Sequence, residues 1–421
     1  MFKEILHKGY SKGYFHLLTA NALIQLVAFA SQLFVAGILS TEDIGRIKII
    51  QTYLTIFTIL GSLGFNSSTL KLCSENRSEA EQMSLFKSAF YLTLFSTFAL
   101  YILLFILNYL QLFSSDKVFI SIFPFGMLPI ITSSIFLVFT AYFQATNKIQ
   151  LLSKHTTINK LVSITSIIAF SYWMGIYGYY YALSISSILI ILFCFWEFRG
   201  IINTKTSIKR IVTDFKTHWT YASKSMVSYI ISDLAAYIDI VFVSYFVLDL
   251  KEIGFYGFAL TLTVIFRLIP GTIQQISIPQ FSNIGMDKVA HKTLFDKYNK
   301  ISILAIFGTL IVALLFIPIF THYVFSSKYD RSMIYFPYLA IGWTFRVLSI
   351  FPNGVIFGVG KIKYNIYISI ISLFFNIIIL YITLQFFGIM GAAIASIPAG
   401  IINYVSSYYF YRKSYSKLTI I

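Results

Sequence analysis

The sequence predicts an all-α polytopic membrane protein, with twelve transmembrane helices in two six-helix bundles related by a parallel repeat. Three observations carry this. Apolar runs of about 20 residues, the length that crosses a ~30 Å hydrocarbon core, recur along all 421 residues. Lys and Arg gather in alternate connections between those runs. Short stretches of the first half return in the second at a nearly constant offset.

Composition excludes the other broad classes. Hydrophobic residues make up 57% of the chain and charged residues 11%, against about 25% charged in an ordinary soluble domain. That excludes a soluble enzyme and a disordered chain. Two cysteines, Cys73 and Cys194, build neither a disulfide framework nor a metal cluster. The basic N-terminus runs into a full-length apolar stretch without a cleavage-site pattern, so the first run is expected as a retained helix.

The twelve expected spans are 17–39, 47–65, 89–112, 118–143, 156–174 and 179–198, then 223–246, 254–278, 301–320, 334–357, 364–386 and 389–411. The fifth and sixth are divided at Gly175-Ile176-Tyr177-Gly178, where glycine permits a tight reversal. With the N-terminus inside, 24 Lys and Arg fall in inward segments and six in outward ones. Both termini are therefore expected in the cytoplasm. The formal net charge of +16 is mostly this orientation signal, with no call for nucleic acid as a partner. The inward segment 201–222 is expected as a linker between bundles 1–200 and 223–421. His155, His218 and His291 lie in inward segments and are expected in solvent.

The halves resemble each other in matching places. Asp43-Ile44-Gly45 returns as Glu252-Ile253-Gly254, 209 residues on. Lys148-Ile149 returns as Lys361-Ile362, and Gly175, Ile176 and Gly178 as Gly388, Ile389 and Gly391, 213 residues on. Six spans per half give both halves one orientation, a parallel repeat of the kind that places a transporter's substrate site between its halves.

Several spans carry polar residues three or four apart, hence on one helix face. The first has Asn21, Gln25 and Gln32; the second has Lys48, Gln51, Thr55, Thr58 and Ser62; the eighth has Thr263, Arg267, Pro270 and Gln274. Spans six and nine are more apolar and are expected to face lipid. Hydroxyl stripes serve helix contacts as readily as ligands. Charges are different, because an ion at mid-membrane costs at least ~2.5–3.5 kcal/mol and so is paired or faces water. Arg267 and Arg346 are the deepest cations, Asp233 and Asp239 the deepest anions, and Asp239 with Arg267 is the structural ion pair to weigh against function. Lys48 and Lys160 sit near span ends. Pro270, three residues past Arg267, is expected to kink its helix. No metal or nucleotide-binding pattern is present, and Gly354 to Lys361 reads as a close-packing glycine pair, so no cofactor is expected.

The 6+6 plan, the acidic-glycine turn from Ser40 to Gly45, Leu63-Gly64, Glu252-Ile253-Gly254-Phe255-Tyr256 and Gly388-Ile389-Met390-Gly391 together resemble the Wzx-type O-antigen flippases. Those belong to the polysaccharide transporters of the multidrug/oligosaccharidyl-lipid/polysaccharide exporter superfamily. The resemblance covers essentially the whole chain, on general rather than diagnostic motifs. It implies a V of two bundles with a cationic central cavity. It further implies a non-enzymatic flippase in the bacterial inner membrane, moving an undecaprenyl-diphosphate-linked oligosaccharide to the periplasmic leaflet. A polysaccharide polymerase and a chain-length regulator are the protein partners it implies. On that reading Arg267, Arg346, Lys48 and Lys160 meet the diphosphate. Asn21, Gln25, Gln32, Gln51 and Gln274 meet sugar, and Asp239 or Asp233 takes a coupling ion. The rivals are a membrane glycan polymerase, which needs a large outward loop that is missing here, and a multidrug extruder of the same superfamily.

Overall fold

A computed structural model describes residues 14–75, 77–197, 208–284, 288–358, 361 and 363–416. Apart from short turns they form α-helix. The helices are α1 (Tyr14–Ile38), α2 (Thr41–Ser62), α3 (Phe65–Cys73), α4 (Glu79–Tyr109) and α5 (Lys117–Met127). After these come α6 (Pro129–Ala145), α7 (Ile149–Glu197), α8 (Ile208–Phe246), α9 (Leu250–Leu262) and α10 (Ile265–Ile284). The last are α11 (Lys288–Val324), α12 (Ser332–Leu348), α13 (Ile350–Gly358), α14 (Lys363–Phe387) and α15 (Ile389–Tyr415). Among the described residues nine helical stretches are long and apolar enough to cross a membrane, and ten with the bent pair α2–α3. The chain is a multi-pass membrane protein. One of the nine, Gln150–Trp196, holds the expected fifth and sixth spans as a single 47-residue stretch. Gly175 interrupts it with φ 61° and ψ −139°. Gly388, its expected counterpart, has φ 55° and ψ −143°, the same backbone at the α14–α15 turn. Both are conformations that a side chain resists.

The chain gathers into two units, Arg46–Leu234 (the central unit) and Met1–Gly45 with Ala235–Ile421 (the C-terminal unit). These limits fall inside α2 and α8, whereas the sequence places its bundle limits around 201–222. Residues 201–207 of that expected linker lie outside the described residues; the rest begins α8 and is helical without a break into the next span.

In the central unit, Ser78 caps α4 in a reciprocal box with Glu81, and Asp116 caps α5 by accepting from the Phe119 N–H. Phe86, Phe139 and Phe143 centre a core that joins α3, α4, α6, α7 and α8. The inward histidines overturn their expected solvation: His155, His218 and His291 are all buried. His155 is flanked by Phe143 and Phe193. His218 Nδ1 lies 2.7 Å from Ser68 Oγ, and its Nε2 lies 3.1 Å from the Leu85 carbonyl. A neutral ring protonated on Nε2 satisfies both. One turn earlier Asp214 accepts from Ser84 and Ser88 hydroxyls. Together they dock the start of α8 into this unit. The sixth expected span is likewise more buried than its apolarity suggests. Tyr180, Ala182 and Cys194 are fully enclosed, while Leu189 and Leu192 face outward. Aromatic and small residues, apolar as they are, pack inward here.

In the C-terminal unit α11, the ninth expected span, is mostly exposed, as a lipid-facing helix requires. Lys328 donates to the carbonyls of Ala36 (2.8 Å), Gly37 (3.2 Å) and Leu39, and the Tyr329 hydroxyl donates to Ala36 (2.9 Å). A helix end leaves such carbonyls without partners, and a cation there also meets the negative end of the helix dipole. Lys328 thus ties α1 to the α11–α12 turn. Gly45 and Gly254 meet in this unit. A Cβ on Gly45 would stand 2.3 Å from the Leu250 carbonyl oxygen, and one on Gly254 would stand 1.8 Å from that of Thr41. Thr41 and Leu250 are 209 residues apart, as Gly45 and Gly254 are, so the contact is reciprocal.

Candidate substrate site beside the helix breaks

Four expected spans are broken: the second (α2–α3), fourth (α5–α6), eighth (α9–α10) and tenth (α12–α13). These are the second and fourth of each expected half. A break frees backbone groups, which a bilayer tolerates only inside protein or along a hydrated cavity. Interrupted helices at corresponding places in two halves are the best pointer to a transport site.

In the C-terminal unit both breaks adjoin an arginine. The α9–α10 break falls at Thr263–Val264, and Arg267 stands in the first turn of α10, its N–H on the Val264 carbonyl. The expected kink at Pro270 is displaced; α10 runs through Pro270, and the interruption comes before Arg267 instead. The α12–α13 break falls at Ser349, whose N–H and hydroxyl both bond the Arg346 carbonyl, with Arg346 in the last turn of α12.

Asp239 on α8 is buried, accepts from the Tyr256 hydroxyl of α9 at 3.2 Å, and takes the Ile240 N–H at 3.0 Å. Its cationic neighbour is Arg346, not Arg267 as the sequence pairing had it, and the two form no ion pair within hydrogen-bonding reach. The Arg346 guanidinium instead sits 5.6 Å from the centre of the Trp343 ring. Arg267 is exposed and has no side-chain partner among the described residues. Gln274 is engaged, donating to the Ile350 carbonyl at 2.8 Å and so bracing α10 against the start of α13.

The other expected site residues divide between the units. Gln25 and Gln32 are exposed on α1, and the Asn21 side chain lies outside the described residues. In the central unit Gln51 on α2 donates to the Tyr179 hydroxyl of α7 at 2.6 Å. Lys48, a turn before it and half-buried, has no ion pair or hydrogen bond among the described residues. Lys160 is exposed on α7 and Asp233 half-buried on α8. Asp239, Tyr256 and Arg346 therefore come together, and the rest of the expected set does not join them. Tyr256 was missed. Its signal is its place one turn past Glu252, in the repeated turn opening α9.

Among the described residues each unit also carries an arginine–carboxylate pair at its outward-expected end. Arg46 on α2 grips Asp116, the α5 cap, at 2.8 Å and 3.1 Å. That hydrogen-bonded pairing holds the Asp116 carboxyl below the usual range. Glu252 on α9 takes Arg331, at the start of α12, at 2.6 Å and also the Tyr335 hydroxyl. The pair is thus repeated with its polarity reversed. Among the described residues no group of three or more His, Cys, Asp or Glu is placed to hold a metal ion.

The fold and the broken, charge-bearing helices define a polytopic membrane transporter fold. The same fold is seen in the lipid II flippase MurJ in an inward closed conformation (TM-score 0.74, 16% identity, 94% of this chain and 89% of that one). A multidrug resistance MATE family transporter in its inward-facing conformation shares it (TM-score 0.70, 13% identity, 93% and 94%). Residues 10–285 match the family described as polysaccharide biosynthesis protein, and the chain belongs to that family. It is 25% identical over 163 residues to the capsular polysaccharide biosynthesis protein CapF of Staphylococcus aureus, covering 38% of this chain. It is 27% identical over 182 residues to a Shigella flexneri protein named as an O-antigen transporter, covering 43% of this chain. The matched regions span 41% and 43% of those two proteins, less than half of each.

Proposed function

We propose that this protein is a flippase for an undecaprenyl-diphosphate-linked oligosaccharide, an O-antigen or similar envelope repeat unit. It moves the headgroup from the cytoplasmic to the periplasmic leaflet by alternating access. Twelve spans in two six-helix bundles, both termini cytoplasmic, complete the reading. The count of twelve follows if Gly175 divides α7 and if α1, α2–α3 and the other stretches each cross once.

The observation that carries the reading is the placing of Arg267 and Arg346 beside two helix breaks. A glycan diphosphate cannot cross hydrocarbon alone, since each unmet polar group costs several kcal/mol. Breaks supply hydrated backbone, and guanidinium groups meet phosphate oxygens in pairs. The anion leaving a negative interior gains ~2.3 kcal/mol per charge for each 100 mV. Lys48, without a partner among the described residues, is a third anion contact, with Lys160 at the entrance. Asn21, Gln25, Gln32 and Gln51 offer amides to sugar hydroxyls, while Gln274 supports the break. Asp239, held by Tyr256 and facing Arg346, takes the coupling proton or Na⁺, with Asp233 its alternate. No chemical step on the glycan is part of this account. The protein works beside a polysaccharide polymerase and a chain-length regulator in the inner membrane. The shared fold favours one rival, a multidrug extruder.

Deleting the gene tests this. Undecaprenyl-linked single repeat units held on the cytoplasmic side support a flippase. Unpolymerised units in the periplasm point to a polymerase, and drug sensitivity alone to an extruder.

A further inference from the structure

One end of the C-terminal unit carries a surface that holds none of the candidate substrate residues. Phe295, Phe351, Tyr364, Phe410 and Tyr411 form one cluster where α11 and α14 begin and α15 ends. Around it, segments 288–300, 361–363 and 412–413 hold eight Lys and Arg against one acid, Asp296. None of the eight forms an ion pair among the described residues. Four instead lie over tyrosine rings: Lys288 over Tyr415 (5.3 Å), Lys297 over Tyr298 (5.6 Å), Lys363 over Tyr364 (5.8 Å) and Arg412 over Tyr408 (4.8 Å). A ring face holds a cation in place without neutralising it.

The central unit treats its corresponding ends differently. At the offset of 213 its matching segments, 75–87, 148–150 and 199–200, hold four Lys and Arg (Arg77, Lys87, Lys148 and Arg199) against three acids (Glu75, Glu79 and Glu81). Glu75 takes both Arg77 (2.7 Å) and Lys71 (3.7 Å). An orientation signal needs inward cations, but it does not require that one unit leave all of them without counter-ions.

We propose that this aromatic-cationic collar on the C-terminal unit binds the headgroups of anionic phospholipids of the phosphatidylglycerol type. Tyr298 and Tyr364 are buried and Tyr408 and Tyr415 half-buried, so the rings hold the cations in place, and cations so fixed meet lipid phosphate at ~1 kcal/mol each, about fivefold in binding apiece. The cations stand at the ends of membrane-spanning helices, at the depth of lipid phosphate, so the occupant is lipid. The proposal rests on the cytoplasmic placing of these helix ends but not on the identity of the substrate.

The test uses the full chain in vesicles of phosphatidylcholine, alone or with phosphatidylglycerol, free of any glycan lipid. These vesicles carry the same lipid in both leaflets, so neither orientation nor transport enters the readout. Phosphatidylglycerol retained on the purified protein is measured by native mass spectrometry. The variant Lys288→Gln/Lys363→Gln/Arg412→Gln is expected to retain tens-fold less than wild type. Lys288→Arg/Lys363→Arg keeps the charge and is expected to keep the lipid, which separates charge from misfolding. Equal retention by the neutralised variant overturns the proposal. So does an equal loss from the control Lys71→Gln/Arg77→Gln, whose cations are paired with Glu75 in the central unit.

Discussion

Both units close their helix breaks with hydroxyls and amides, but the C-terminal unit also sets an arginine beside each of its two breaks. At the α2–α3 bend of 50°, Ser96 donates to the Gly61 carbonyl at 2.6 Å and Ser134 to that of Thr58 at 3.0 Å. In α5–α6, Pro129 cannot bond the Phe125 carbonyl, and Ser184 does so at 2.6 Å. Pro124 leaves the Ile120 carbonyl in the same way, and Asn108 takes it at 2.9 Å. These breaks consume their own polar groups. In the C-terminal unit Thr263, Gln274 and Ser349 play that bracing part, and Arg267 and Arg346 are left with charge to offer. On the proposed function, the difference separates a break that shapes a helix from one that faces a ligand.

The comparison is broken most directly at the arginines. Arg346→Ala and Arg267→Ala are each expected to cut surface polysaccharide at least about tenfold, the loss of one charge-assisted contact, with membrane abundance kept. Ser184→Ala, at a hydroxyl-closed break, is expected to lower thermal stability by about 1–2 kcal/mol and leave polysaccharide near normal. Transport falling equally in both would erase the distinction between the units.

Next in size is Gly64→Ala. Gly64 has φ 74°, and a Cβ there would stand 2.3 Å from the Ala222 carbonyl oxygen. The left-handed backbone alone costs a side chain ~1–2 kcal/mol. A lowered Tm, with polysaccharide lost only in step with abundance, is the expected result.

The reversed ion pairs sharpen the comparison at a smaller scale. Asp116→Asn is expected to cost about 1.5 kcal/mol, since the pair is partly exposed. The Asp116 carboxyl is depressed in the folded protein. Its contribution is therefore full above the unfolded carboxylate pKa near ~3.9 and is lost as pH falls through the lower folded value. A Tm gap between wild type and variant that closes on acidification supports this; a constant gap contradicts it. Arg46→Glu with Asp116→Arg adopts the polarity of Glu252–Arg331 and is expected to restore the ion pair but not the α5 cap, so that only part of the loss is recovered.

Much of this was legible in the sequence, and the misses have physical causes. Apolar run length gave away the helices, and the Gly175 and Gly388 turns announced themselves through a backbone that only glycine adopts readily. The breaks were harder. Pro270 drew the eye, yet α10 absorbs it and breaks at Thr263–Val264, where no residue type marks the spot. Arg267, Arg346 and Asp239 stood out because charge is costly in hydrocarbon. Which of them meet was not readable, because helix packing, not spacing along the chain, brings Arg346 to Asp239. The histidines failed for the opposite reason: hydrophilic in sequence, they are buried by aromatic stacking and by partners such as Ser68 that lie far away in the chain.

The central claim is that the arginines beside the C-terminal unit's breaks carry a lipid-linked glycan anion. Its most direct test is to trap radiolabelled undecaprenyl-linked repeat units in a strain lacking the gene and complement it with wild type or Arg346→Gln. Leaflet location is then read with an impermeant periodate label. The account predicts that wild type moves the label-accessible pool to the periplasmic side, while Arg346→Gln, present at equal abundance, leaves it cytoplasmic. Equal movement by both proteins would contradict it.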